Sequence, residues 1–186
     1  MSRSSVTLRD ATLADVEHLA ALWQPFLRRD TGEHLNDLAR AIETAGDKPG
    51  QRLVVSEYDG DFAGAVFLRT STYSPVNPEP VVQAHNLAVV AAHRKRGVGK
   101  ALMECAVTWA EELGISHVGT ATSSGSREAN RFMARLALGP QAVLRMAPTH
   151  AVRARLAASR PGARQVTQVL AARRSARHAR ALSGQG

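Results

Sequence analysis

Between Val81 and Ala121 the chain reads as strand, amphipathic helix, strand, and this order restricts the fold more than any other feature. Val81–Val90 is apolar enough for a sheet interior. Leu102, Cys105, Ala106, Trp109 and Leu113 then recur at helical spacing, Gly114 stops the helix, and Ile115–Ala121 returns to a strand. No tight hairpin joins these strands, so the crossover predicts at least a partly parallel sheet.

The flanking segments fill in an α/β architecture. Val6–Arg9 predicts a short strand, and Asp10 or Thr12 caps a helix carrying Val16, Leu19, Ala20, Leu22 and Trp23, which Pro25 ends or bends. Leu35, Leu38, Ala39 and Ile42 mark a second amphipathic helix that stops near Gly46 and Pro49. Arg52–Tyr58 and Phe62–Arg69 flank the turn-forming pair Asp59-Gly60 as a hairpin, its second strand running on toward Tyr73. Residues 74–80, with Pro75, Pro78 and Pro80, read as a loop. Ser126–Leu138 predicts a helix and Ala142–Met146 a last strand after a second crossover. The result is a mixed sheet with helices on both faces, over residues 1–148. Beyond it, residues 149–172 predict a helical extension broken at Arg160-Pro161-Gly162. Residues 173–186 are too poor in apolar side chains to order.

Charge and cysteine usage narrow the class. Every acidic residue lies at or before Glu128, whereas the eleven bases after it are all arginine. The net charge of +8 therefore belongs to the C-terminal third. That end lacks interleaved aromatic residues, so specific nucleic-acid binding is not expected; an unstructured solvated tail is the expectation, ahead of nonspecific attraction to polyanions at low salt. Cys105 is the only cysteine, which excludes an internal disulfide. No His/Cys/Asp cluster has metal-ligand spacing, so no metal is expected. No apolar run approaches a membrane span, and the N-terminus has no apolar signal segment; a cytoplasmic protein without a membrane partner is the expectation.

The chemistry concentrates in Asn86–Leu102, NLAVVAAHRKRGVGKAL. A strand leads into a turn bearing Arg94, Lys95, Arg96 and Lys100, where Gly97 and Gly99 open a helix. Glycines let a ligand approach the backbone, unsatisfied amides point outward, and the helix dipole favours an anion. Two familiar phosphate motifs do not fit. Leu102 replaces the third glycine of a dinucleotide fingerprint, and Arg94 and Ala101 replace the glycine and hydroxyl residue of a Walker A loop. A solvated basic turn that merely caps the helix is the structural alternative.

Leu87-Ala88-Val89 followed by Arg94-x-x-Gly97-x-Gly99 resembles the central acetyl-CoA motif of the GCN5-related N-acetyltransferases, Gln/Arg-x-x-Gly-x-Gly/Ala after a strand ending Leu-Ala-Val. The element order is similar from about Val6 to Met146. The resemblance implies an α/β fold with a centrally splayed sheet, acetyl-CoA as co-substrate, and direct transfer to an amine acceptor. It implies that Arg94, Lys95, Arg96, Gly97, Val98, Gly99 and Lys100 hold the CoA diphosphate, with Ser126 nearby. Leu87, Ala88 and Val89 would pair with the pantetheine arm, and an N–H of Ala88 or Val89 would face the oxyanion.

Deprotonating an ammonium needs a base. His85 lies two residues before Leu87, so plain alternation puts both on one face, and its position resembles the base histidine of arylalkylamine-type members. A histidine that only hydrogen-bonds its neighbours is the other reading. Gln83 can position a water, and Glu79 is a remoter base. Cys105 and Trp109 read as core, whereas Trp23 and Phe26 read equally as core or as an acceptor pocket.

Departures from the family pattern are equally specific. The usual Asn and Tyr of the helix after the fifth strand fall on Ser126 and Met133, and Met133 cannot donate a proton. Water, oriented by Ser124 or Ser126, is then the available acid, unless these hydroxyls serve as helix caps. The closing hairpin has one clear strand, which leaves room for a homodimer whose partner supplies the other. A degenerate fold that binds CoA or an anionic partner as a regulatory module is the alternative to an enzyme.

Overall fold

The computed structural model describes residues 5–27, 32–122 and 125–158. Its contacts divide the chain at Gly139 into two compact units, residues 1–139 and 140–186.

The first unit is built on five strands in the order β1-β2-β3-β4-β5. They are β1 (Val6–Asp10), β2 (Gln51–Tyr58), β3 (Asp61–Ser74), β4 (Asn77–Val89) and β5 (His117–Thr120). The first three pairings are antiparallel, and β4 pairs with β5 in parallel. The connection between β4 and β5 is α3 (Val98–Glu112), the crossover that the sequence predicts. Helices α1 (Val16–Trp23) and α2 (His34–Asp47) occupy the β1–β2 connection, and α4 (Arg127–Arg135) follows β5. Thr12, not Asp10, caps the first helical segment: its N–H donates to Asp15 at 2.8 Å. Asp10 instead accepts from Arg52. The Arg9 guanidinium, bonded to Asp15 through both terminal nitrogens, holds that buried carboxyl down at about 2.

Strand alternation gives the sheet two cores. Val54, Val66, Leu68, Val82 and Ala84 pack beneath Val98, Leu102, Ala106 and Trp109 of α3. Leu53, Val55 and Ala65 point the other way, onto Leu19, Trp23, Leu38 and Ile42 of α1 and α2. Cys105 is half-buried and packs against the α3 core, where burial pushes its thiol up and suppresses the reactive thiolate.

Two segments differ from the sequence expectation. Residues 77–80 are strand, because Asn77 pairs with Ser74 and Pro80 with Thr72. β5 reaches only up to Val81 on the other side, so both strand prolines sit where β4 has an open edge and needs no ladder donor. Ala142–Met146 forms no strand; Val143, Leu144 and Met146 are 67%, 82% and 86% exposed. The second predicted crossover therefore has no strand to return to among the described residues.

The second unit carries α5 (Thr149–Ala158). The expectations for residues 159–186 lie outside the described residues.

Candidate active site

The site grows from a break within β4. Its lower part is paired on both sides: Val81–Ala84 face β3 and also His117–Thr120 of β5. The β5 pairing ends at Ala84, whose carbonyl oxygen accepts the Thr120 hydroxyl at 2.8 Å. From His85 to Val89 the strand keeps β3 alone among the described residues, and its other edge opens.

A bulge lies where this opening starts. From the Phe67–His85 pair to the Ala65–Ala88 pair, β3 advances two residues and β4 three. Asn86 takes up the extra residue with φ +52°, a conformation asparagine tolerates better than most residues. Trp23 fixes it from α1. Its ring is buried in the core, and its indole N–H donates to the Asn86 carbonyl at 2.7 Å. Phe26 is 61% exposed, so the two aromatic residues flanking Pro25 have different surroundings.

The bulge overturns plain alternation for His85 and Leu87. His85 stands opposite Phe67, which packs on the α1–α2 core, whereas Leu87 and Val89 pack on the α3 core. His85 thus faces the α1–α2 side and Leu87 the opposite one. The bulge also separates the main-chain candidates. The Ala88 carbonyl lies against Gly64 of β3, where a Cβ would meet it at 2.6 Å, and Val90 N–H donates to Ala63 of β3. Alternation therefore turns the Ala88 main-chain groups toward β3 and those of Leu87 and Val89 toward the open edge.

His85 is half-buried, and its Nε2 lies 3.2 Å from Gln83 Oε1. With that oxygen accepting, the ring proton sits on Nε2 and Nδ1 is the basic nitrogen. Burial, and after it the Arg69 charge, lowers the His85 pKa below its ordinary 6.5. Glu79 is engaged by His117 at 3.2 Å.

The open edge runs directly into the basic turn. Val90 leads into a short 3-10 segment, Ala91–His93; Lys95 follows at φ +62°, and Gly97 caps α3 at φ +88°. A Cβ on Gly97 would meet nothing within 4 Å, so the turn faces open space. Ala101 N–H closes the first helical bond onto Gly97, leaving the amides of Val98, Gly99 and Lys100 without intrahelical acceptors. The cations have different surroundings. Arg96 lies 4.9 Å over the Tyr58 ring, and Arg94 is 3.8 Å from Glu128 of α4. Phe132 of α4 covers Gly99 from the side. Ser126 caps α4, accepting from Ala129 N–H at 3.3 Å, and Met133 is buried.

Residues 16–138 match the profile of the Acetyltransferase (GNAT) family. The chain belongs to that family. Solved structures share the GNAT fold. An aminoglycoside N-acetyltransferase, AAC(6')-Iy in complex with CoA, is 17% identical with a TM-score of 0.65, covering 80% of this chain and 97% of its own. A transcriptional regulator from Bacillus halodurans C-125 is 19% identical at 0.64, covering 77% and 100%. A ribosomal-protein-alanine N-acetyltransferase from Brucella melitensis biovar Abortus 2308 is 18% identical at 0.61, covering 77% and 99%. No curated protein matches the sequence significantly. The splay between β4 and β5 that the GNAT resemblance implies is present, starting after Ala84.

Sequence reasoning missed the Asn86 bulge and the Trp23 bond that holds it. Asparagine within a β-rich run is the one local signal, and the partner tryptophan is 63 residues away. Among the described residues no group of three or more His, Cys, Asp or Glu could hold a metal, and no helix is long and apolar enough to cross a membrane.

Proposed function

We propose that this GNAT protein is an acetyl-CoA-dependent N-acetyltransferase that moves an acetyl group directly onto a primary amine. One observation carries the reading: the strand edge left open after Ala84 ends at a helix N-terminus whose capping glycine faces free space. An extended arm with a phosphate end fits that continuity, pairing with main chain along one half and meeting amides at the other.

Bound acetyl-CoA supplies an acyl group activated as a thioester. The free amides of Val98, Gly99 and Lys100, with Lys95, Lys100 and Arg96 as nearby charges, hold its diphosphate. Arg94 shares its charge with Glu128, and Ser126 orders α4 beside the turn. Leu87 and Val89 offer main-chain groups to the arm, and the Val89 N–H is the donor for the acyl oxygen. His85 Nδ1 takes the ammonium proton, directly or through water, while Gln83 holds the ring. Met133 has no proton to give, so water is the acid of this site; a thiol-like leaving group with a pKa of about 8.5 tolerates this near neutral pH.

Calorimetry with acetyl-CoA, paired with a CoA-release assay over an amine panel, tests the reading. Saturable binding and amine-dependent release are expected. Binding without release on any amine reassigns the chain to a CoA-binding module, and absence of binding removes the cradle.

A further inference from the structure

We propose that Arg69 selects acceptors that carry a carboxylate beside the amine, so that the substrate class is amino acid-like. The inference rests on the transferase reading above and specifies its acceptor.

Charge on the strands around the opening is sparse. β3, β4 and β5 together hold two carboxylates, Asp61 at the far end of β3 and Glu79. Glu79 is occupied by His117. Their one guanidinium or ammonium is Arg69, and it stands directly opposite Gln83, the residue that holds His85. Facing residues of paired strands share a face, so Arg69, Gln83 and His85 line the same side of the sheet, below the part covered by α1. Arg69 is exposed, and among the described residues it forms no ion pair or side-chain hydrogen bond.

An arginine in the middle of two central strands differs from one on a loop. Its neighbours across the ladder are fixed, so its stem starts one diagonal step from His85. An acceptor whose only charge is its ammonium finds no free carboxylate on these strands and meets a like charge instead. An acceptor with an additional carboxylate places that group on the guanidinium in a bidentate pair. Its amine then lies toward His85 and the splay. Its own charges balance, and the carboxylate offsets the repulsion that Arg69 exerts on the ammonium. A polycationic acceptor is the worst fit.

The full-length protein is assayed for CoA release with three acceptors: phenylalanine, its decarboxylated amine phenethylamine, and a polyamine. Wild type is expected to favour phenylalanine over the other two in kcat/KM by roughly tenfold to hundredfold, the range of a charge-assisted hydrogen bond. Arg69→Gln collapses that ratio, mainly through a higher KM for phenylalanine, and Arg69→Glu inverts it. Circular dichroism checks that both surface variants remain folded. Calorimetry with CoA present supplies a second reading, in which phenylalanine binds wild type and weakens in Arg69→Gln. Turnover of amines without a carboxylate preference, or an equal effect of Arg69→Gln on all three, overturns this assignment and leaves the transferase reading standing. Release with no amine at all, despite bound acetyl-CoA, overturns both.

Discussion

The two halves of β4 have similar composition and opposite fates. Val81–Ala84 is held by neighbours on both sides, and three of its four residues are apolar and buried. His85–Val89 has one neighbouring strand, no fully buried residue, and a left-handed asparagine near its start. The first half is ordinary sheet interior, and its loss should be felt as stability. The second half keeps main-chain groups unspent and places side chains on both faces of the sheet. Its loss should be felt as function. The proposed chemistry sits where the ladder stops and the backbone retains bonds to offer a ligand beside the basic turn.

That contrast can be broken most severely at the two sites of proposed chemistry. His85→Ala should lower kcat by roughly 10²–10⁴, the usual worth of a general base, with acetyl-CoA affinity nearly intact in calorimetry. The wild-type rate should fall as pH drops through a pKa below 6.5, since burial and Arg69 both favour the neutral imidazole. This acid limb should vanish in His85→Ala; a mutant with the wild-type profile would move the base elsewhere. Gly97→Glu should weaken acetyl-CoA binding by roughly hundredfold or more, through the loss of about two charge-assisted bonds. The added carboxylate enters open space and the φ of +88° is strained for it, so a melting curve should accompany the titration.

Smaller changes sharpen the division. Trp23→Phe keeps most of the buried ring but strands the Asn86 carbonyl, at a cost of about 1–3 kcal/mol. If the bond serves the bulge, kcat should drop roughly tenfold, more than in a core variant of equal melting temperature. Val82→Ala supplies that control from the doubly paired half. It should cost about 2 kcal/mol in denaturant unfolding and leave the KM for acetyl-CoA near wild type. A large KM change in Val82→Ala with none in Trp23→Phe would reverse the contrast.

Much of this was legible in the residues. The crossover from Val81 to Ala121 was readable because helical and alternating periods differ, and the Gly97–Gly99 turn because few other arrangements need two glycines beside four cations. Residues 77–80 misread as loop because proline content reports a missing donor, and an edge strand has donors to spare. Ala142–Met146 misread as strand because a short apolar run carries no information on whether anything lies opposite it. The face of His85 was hidden for a different reason. Alternation is a counting rule, and one inserted residue changes the count without leaving more than a single asparagine as its trace. Its anchor, Trp23, becomes a neighbour only after the chain has folded.

The extra residue at Asn86 acts as a parity switch. Up to His85, odd positions of β4 look toward α1 and α2; past it, odd positions look toward α3. Pressing the bulge flat with every residue kept would send Leu87 and Val89 to the wrong core and turn Ala88 to the α3 side, whereas losing Asn86 itself would leave Ala88 opposite Ala65 and every later side chain on its present face. Length at this one place is therefore tied to the bulge: a related chain without the left-handed residue should be one residue shorter here and carry the same side chains on the same faces.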